Sequence, residues 1–277
     1  MNQTRFDRIE LKGILDDAGR RSLTAALRAR MDLDPHGDAD GCYPIVSLYY
    51  DTPERGVYWD RVRGVASRRK LRVRLYGGLG APVPPICFVE IKQKYYGRVA
   101  KRRLVIAPED ALALCAGGPV PPRLSPADRL VAEEVRALVA RDALRPTCLV
   151  RYVRQAFIGR ADSPDLRVTL DSHVRCTSTE LDPRQVDETV GSAPLDDQRA
   201  LVEIKVDHAV PRWLVDATRV ARMSTRPLSK YALACEALGL VNFPARSAAA
   251  NEGQPTANRP AAIAVCAAAE KDMAWTR

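Results

Sequence analysis

Charged and apolar residues alternate one for one in segment after segment of this chain. The pattern appears in Arg8-Ile9-Glu10-Leu11-Lys12, Lys70-Leu71-Arg72-Val73-Arg74, Glu90-Ile91-Lys92, Arg167-Val168-Thr169-Leu170-Asp171 and Glu203-Ile204-Lys205. Successive side chains of a β-strand point to opposite faces, so each segment predicts a strand with one face of Arg, Lys and Glu and another of Ile, Leu and Val. Extended to their turn signals, the strands fall at residues 4–12, 43–51, 68–76, 86–95, 98–106, 145–158, 165–175 and 199–206. Helical spacing takes over at 17–31, where Leu23, Leu27 and Met31 recur, and at 57–62, 108–116, 125–141, 210–221 and 229–238. Ser125-Pro126 is a helix start signal, and Pro108 suits a first helical turn.

Half-exposed strands with solvated polar faces would also alternate. An ordinary wet face, however, uses more Thr, Ser and Gln than these strands do, and Glu-x-Lys occurs three times with apolar residues on both sides. The amphipathic helices between the strands must cover something apolar, and the Ile, Leu and Val faces are the natural partner. The expectation is an α+β fold, a closed antiparallel β-barrel with helices packed on the outside and the charged faces lining its lumen. Arg72 and Arg74, about 7 Å apart on one strand face, repel by roughly 2–3 kcal/mol at an effective dielectric near 20. Glutamates offset part of that repulsion, and a bound polyanion would offset more.

Composition agrees with an anionic partner without identifying it. The 277 residues carry 43 Lys plus Arg against 34 Asp plus Glu, a formal net charge of +9. With 46% hydrophobic residues the chain can bury a core. The seven cysteines are scattered, without Cys-x-x-Cys pairs, and read as small core residues in a reducing compartment. Residues 1–12 carry charges throughout, and no run approaches the roughly 18 apolar residues of a membrane span, so a cytoplasmic location is expected. Residues 1–240 read as one domain. Residues 241–277, rich in Ala, Asn, Pro and Gln, read as a low-complexity tail that buries too little surface to offset its ordering entropy.

Taken in order, several segments resemble a known family. They are Lys12, Leu71-Arg72-Val73-Arg74-Leu75-Tyr76-Gly77-Gly78, Phe88-Val89-Glu90-Ile91-Lys92, Arg151-Tyr152-Val153-Arg154-Gln155-Ala156-Phe157, Leu166-Arg167-Val168-Thr169-Leu170-Asp171, Val202-Glu203-Ile204-Lys205 and Leu228-Ser229-Lys230-Tyr231. This series is similar to the VTC domain, the polyphosphate polymerase domain of the vacuolar transporter chaperone complex and its bacterial relatives, within the triphosphate tunnel metalloenzymes. The resemblance covers about residues 4 to 240. It implies transfer of the γ-phosphate of ATP to a growing polyphosphate chain, with Mn²⁺ or Mg²⁺ as the metal, since hard oxygen ligands suit these ions. It assigns the reacting phosphates to Lys12, Arg72, Arg74, Lys92 and Lys230, further phosphate contacts to Lys101, Tyr152, Arg154, Arg167, Lys205 and Ser229, and the metal to Glu203, with Glu90 and Glu10 as additional lumen carboxylates. Hydrolytic members open with Glu-x-Glu-x-Lys, and here Arg8 replaces the first Glu, which favours the polymerase branch. A tripolyphosphate or nucleoside triphosphate hydrolase and a non-catalytic module binding polyphosphate or inositol pyrophosphate stay open as alternatives. So does association with a membrane protein.

Other signals carry less. Gly77-Gly78-x-Gly80 lies between two strands and reads as a hairpin loop rather than a nucleotide cradle. Asp171-Ser172-His173 contains triad residue types, but adjacent strand residues alternate faces and cannot converge. The three histidines are too dispersed for a zinc site. The basic clusters Arg68-Arg69-Lys70 and Lys101-Arg102-Arg103 put only half their charge on either face, which argues against a nucleic-acid partner.

Overall fold

A computed structural model describes residues 9–77, 82–96, 98–185 and 191–242. Arg8, Gly78, Gly80 and nearly all of the predicted tail lie outside the described residues. The chain runs β1 (Ile9–Asp16), α1 (Asp17–Arg30), β2 (Met31–Leu33), β3 (Cys42–Asp51), α2 (Gly56–Val62), β4 (Ser67–Tyr76), β5 (Cys87–Tyr95), β6 (Arg98–Ile106), α3 (Pro108–Cys115), α4 (Pro126–Arg141), β7 (Arg145–Gly159), β8 (Arg167–Thr177), β9 (Arg199–Val206), α5 (Arg212–Val220), β10 (Ser224–Thr225) and α6 (Lys230–Ala237). The strands form one antiparallel sheet in the order β10-β1-β9-β8-β7-β3-β4-β5-β6, with β2 added to β7.

Local chemistry sets the helix limits. Asp16 accepts a hydrogen bond from the Gly19 amide at 2.7 Å, Asp17 sits in the first turn of α1, and Arg28 and Arg30 sit in the last, where each charge complements the helix dipole. Ser125 caps α4 by accepting from the Asp128 amide at 3.1 Å. Met31 shares the helical spacing of Leu23 and Leu27 but is extended, with φ −131° and ψ 163°, and opens β2 instead of closing α1. The two shortest strands, β2 and β10, have too few residues to show an alternation.

Helices cover the apolar face of the sheet at two places. Leu23 and Leu27 of α1 and Leu214 of α5 pack on Leu15, Phe157, Val168, Leu170, Val202 and Ile204. Ala111 and Leu114 of α3 and Val135 and Leu138 of α4 pack on Val46, Leu48, Leu71, Val73, Val89, Ile91 and Leu104. The expectation that all helices lie outside fails for the remaining two. Tyr58 of α2 and Tyr231, Ala232, Ala234 and Cys235 of α6 pack on Ile45, Tyr49, Cys148, Val150 and Tyr152, which share the face of the charged residues. Alanine and cysteine around α6 let its backbone approach that face closely, whereas a wider polar side would have kept it in water.

The expected backbone-closed barrel is also revised. Among the described residues no ladder joins β6 to β1 or β10, so the hydrogen-bonded path stays open. The sheet nevertheless curls until its flanks meet through side chains, with Lys92 Nζ of β5 donating to Glu10 Oε2 of β1 at 3.3 Å. Cys87, Cys115, Cys148, Cys176 and Cys235 are buried and free of disulfides. No helix among the described residues is long and apolar enough to cross a membrane.

Candidate functional site

Cross-strand register gathers the charged side chains on one face. Glu10 and Lys12 stand opposite Lys205 and Glu203. Lys205 and Glu203 stand opposite Arg167 and Thr169. Asp171 faces Arg154, which faces Tyr43. Tyr49 and Ser47 face Arg72 and Arg74. Arg72 and Lys70 face Glu90 and Lys92, and these face Arg103 and Lys101. A period of two along each strand, repeated through the ladder, makes one continuous charged surface.

Three buried carboxylates organise its cations. Glu90, 1% exposed, accepts from Arg72 Nε at 2.7 Å and Arg103 Nε at 2.9 Å, and Lys101 Nζ lies at 2.5 Å. Burial alone would raise the Glu90 carboxyl, but the charges of Arg72, Arg74 and Lys101 hold it far below the usual range. Asp171, also 1% exposed, takes both arms of Arg154, at 2.7 and 2.8 Å, and pairs with Lys230 at the start of α6. Burial opposes this charge as well, yet Arg154 and Lys230 bring Asp171 down to about 2. Asp34, beyond β2, pairs with Arg167, whose Nη2 also donates to Tyr43 Oη at 3.2 Å. Arg74 is buried, donating to Ser47 Oγ at 3.2 Å and Tyr152 Oη at 3.1 Å, with no carboxylate among its hydrogen-bond partners in the described residues.

Glu10 and Glu203 form a second centre. Burial would raise Glu203, but Lys205 at 2.7 Å, a hydrogen bond with Glu10 and the Lys12 charge hold it well below the ordinary carboxylate range. Lys12 Nζ lies 2.9 Å from Glu10 Oε1, an oxygen buried from solvent. An open cleft of about 230 Å³ lies against Glu10, Leu11, Lys12, Thr225, Arg226 and Pro227.

The register and packing thus bring Lys12, Arg72, Arg74, Lys92, Lys101, Tyr152, Arg154, Lys205, Ser229 and Lys230 to the same face, with Arg167 at its Asp34 end. Residues missed from the sequence are Asp171, Asp34, Arg103, Lys70, Tyr43 and Tyr49. Asp171 and Lys70 stand in the alternating segments without an assigned role, and Arg103 lies two positions from Lys101; Asp34 sits in a loop and shows no such signal. Arg102 points the other way and pairs with Glu134 of α4.

Among the described residues no group of three or more His, Cys, Asp or Glu could hold a metal ion. Glu90 is surrounded by cations and stands apart from the other two glutamates. Glu10 and Glu203 do offer the hard oxygen donors that a divalent cation takes, in a place where Lys12 and Lys205 already balance their charge.

The VTC domain family matches residues 7–239. No curated protein matches the chain. Among solved structures it is similar to the PH1819 protein of Pyrococcus horikoshii OT3, at 14% identity, with 83% of this chain and 98% of that one covered and a TM-score of 0.42. A proposed adenylate cyclase of Bacillus halodurans aligns at 11% identity over 83% of this chain and 96% of its own, with a TM-score of 0.48. Another from Vibrio parahaemolyticus aligns at 11% identity over 83% and 98%, with a TM-score of 0.41.

Proposed function

The chain belongs to the VTC domain family, and from that premise we propose that it is a polyphosphate polymerase that moves the γ-phosphoryl group of ATP onto a growing polyphosphate chain. The observation that carries this reading is the single charged face, on which arginines and lysines from separate strands surround the Glu10 and Glu203 pair. Arg72, Arg74 and Arg154 would hold phosphate oxygens with their planar forks of donors. Lys12, Lys92 and Lys230 would offset charge on the transferred group. Glu203, with Glu10, would hold Mn²⁺ or Mg²⁺, which when bound offsets phosphate charge at that end of the face. Glu90 would serve instead to fix Arg72, Arg103 and Lys101 in place.

The chemistry asks little of a general base, because the attacking group is already an anion. A terminal phosphate oxygen of the polymer forms a new bond to the γ-phosphorus as the bond to the β,γ-bridging oxygen breaks. ADP leaves with that electron pair, and the polymer grows by one unit. Aligning two polyanions is the main barrier, and a face of fixed cations lowers it.

The test is to incubate the purified chain with radiolabelled ATP and Mn²⁺ and to resolve polymer from free phosphate on a gel. The expected result is ADP and polyphosphate, both lost in Arg72→Ala and Glu203→Ala. Free phosphate from tripolyphosphate with no polymer would move the assignment to a hydrolase, and binding without turnover to a sensor.

A further inference from the structure

Lysines of the charged face are paired with carboxylates almost as a rule. Lys12 and Lys92 pair with Glu10, Lys101 with Glu90, Lys205 with Glu203 and Lys230 with Asp171. Lys70 departs from this. Its Nζ donates to Ser229 Oγ at 3.0 Å and lies 5.6 Å from the centre of the Tyr231 ring, and no carboxylate among the described residues pairs with it. In register it stands opposite Lys92, which stands opposite Lys101, so three lysines form a row across β4, β5 and β6. Like charges directly opposite one another are destabilising in a sheet.

The charges that act most strongly on Lys70 are cations, two of which, Lys12 and Lys92, share the Glu10 carboxylate. They are Arg61 of α2, Arg68 of its own strand, Lys92 of β5 and Lys12 of β1; α6 and the residue before it add only the Tyr231 ring and the Ser229 hydroxyl. Arg61 is held there by its bond to the Pro227 carbonyl at 2.5 Å. A half-buried amine with four cationic neighbours and no carboxylate paired with it among the described residues is a place for an anion from outside the chain.

We propose that Lys70 is a further phosphate ligand of this face, and that it takes up a proton when a phosphate chain settles among Lys70, Arg61, Lys92 and Ser229. The inference rests on the polyphosphate reading above. Burial, followed by the charges of Arg61, Lys92, Lys12 and Arg68, pushes the Lys70 amine down to about 7. At pH 8, then, most Lys70 is uncharged before the anion arrives. The anion supplies the missing counter-charge and restores the ammonium form, so binding draws up to about one proton from solvent.

The measurement is titration calorimetry of the full chain with inorganic tripolyphosphate, without metal, at pH 8 in buffers of different ionisation enthalpy. Wild type is compared with Lys70→Arg, which stays charged, and Lys70→Gln, which cannot be. Protonation of the ligand itself is common to all three and cancels. Wild type is expected to take up more protons than Lys70→Arg, by as much as about one per site. Lys70→Arg should bind at least as tightly as wild type, and Lys70→Gln about tenfold or more weakly. Equal proton counts in wild type and Lys70→Arg, or undiminished affinity in Lys70→Gln, would overturn the inference. Wild type that does not bind tripolyphosphate at all would instead overturn the polyphosphate reading and this inference with it.

Discussion

Replacing Asp171 with Asn removes one charge and strands two. Asp171 is 1% exposed and its oxygens hold both arms of Arg154 and the Lys230 ammonium. A carboxyl held at about 2 against an ordinary 3.8 corresponds to about 2–3 kcal/mol of stabilisation. Breaking a buried ion pair by removing one partner costs about 3–5 kcal/mol, and Asn recovers part of this through its amide oxygen. The expected loss is therefore about 2–4 kcal/mol, which lowers the melting temperature of a domain this size by about 5–15 °C. The pH dependence has a definite sign. Because the folded carboxyl is depressed, its contribution is complete above pH 4 and is lost as pH falls towards 2, so the gap between wild type and variant closes over that window. Arg154 and Lys230, freed of their internal counter-charge, should gain more from an external one, so tripolyphosphate should raise the melting temperature of Asp171→Asn by more than that of wild type. Thermal melts with and without tripolyphosphate, at pH 7 and near pH 3, read all of this. A fall of less than 2 °C at pH 7, or a smaller tripolyphosphate gain in the variant, would refute the reasoning.

Two other substitutions separate scaffold from site. Leu23→Ala on α1 removes a fully buried side chain from the apolar side of the sheet and should cost about 2–5 kcal/mol in a denaturant melt while leaving tripolyphosphate affinity unchanged. Asp51→Ala should change both. Asp51 accepts from the Val57 and Tyr58 amides, at 2.8 and 3.1 Å, and from the Tyr231 hydroxyl, so it ties α2 to α6. Its loss removes a helix cap and leaves a buried hydroxyl unpaired, for about 2–4 kcal/mol, and calorimetry should show weaker tripolyphosphate binding as Lys230 loosens.

What could be read from the sequence follows the range of the interactions concerned. The alternation of Arg72 with Arg74, or of Glu203 with Lys205, is local, and the face those residues share needed nothing more than a strand. Whether one Glu-x-Lys resembles another in three dimensions is not local. Glu10 and Glu203 touch because β1 pairs with β9, whereas Glu90 lies between Arg72 and Arg103 because β4 and β6 flank β5. The Arg167 to Asp34 pair spans 133 positions and ends in a loop, so no pattern announces it. The inward placement of α6 was equally hidden, since its Ala and Cys residues fit either side of a sheet. Met31 misled for the opposite reason, continuing a helical spacing after the backbone had turned extended.

The meeting of Lys92 with Glu10 has a mechanical meaning. A cylinder of strands laced throughout by amide hydrogen bonds has its girth dictated by strand number and stagger. Here one seam is fastened by an ammonium and a carboxylate, a clasp worth about 1 kcal/mol or less where solvent reaches it. Such a seam depends on ionic strength where a hydrogen-bonded ladder does not, so concentrated salt should loosen this side of the sheet while every strand stays paired.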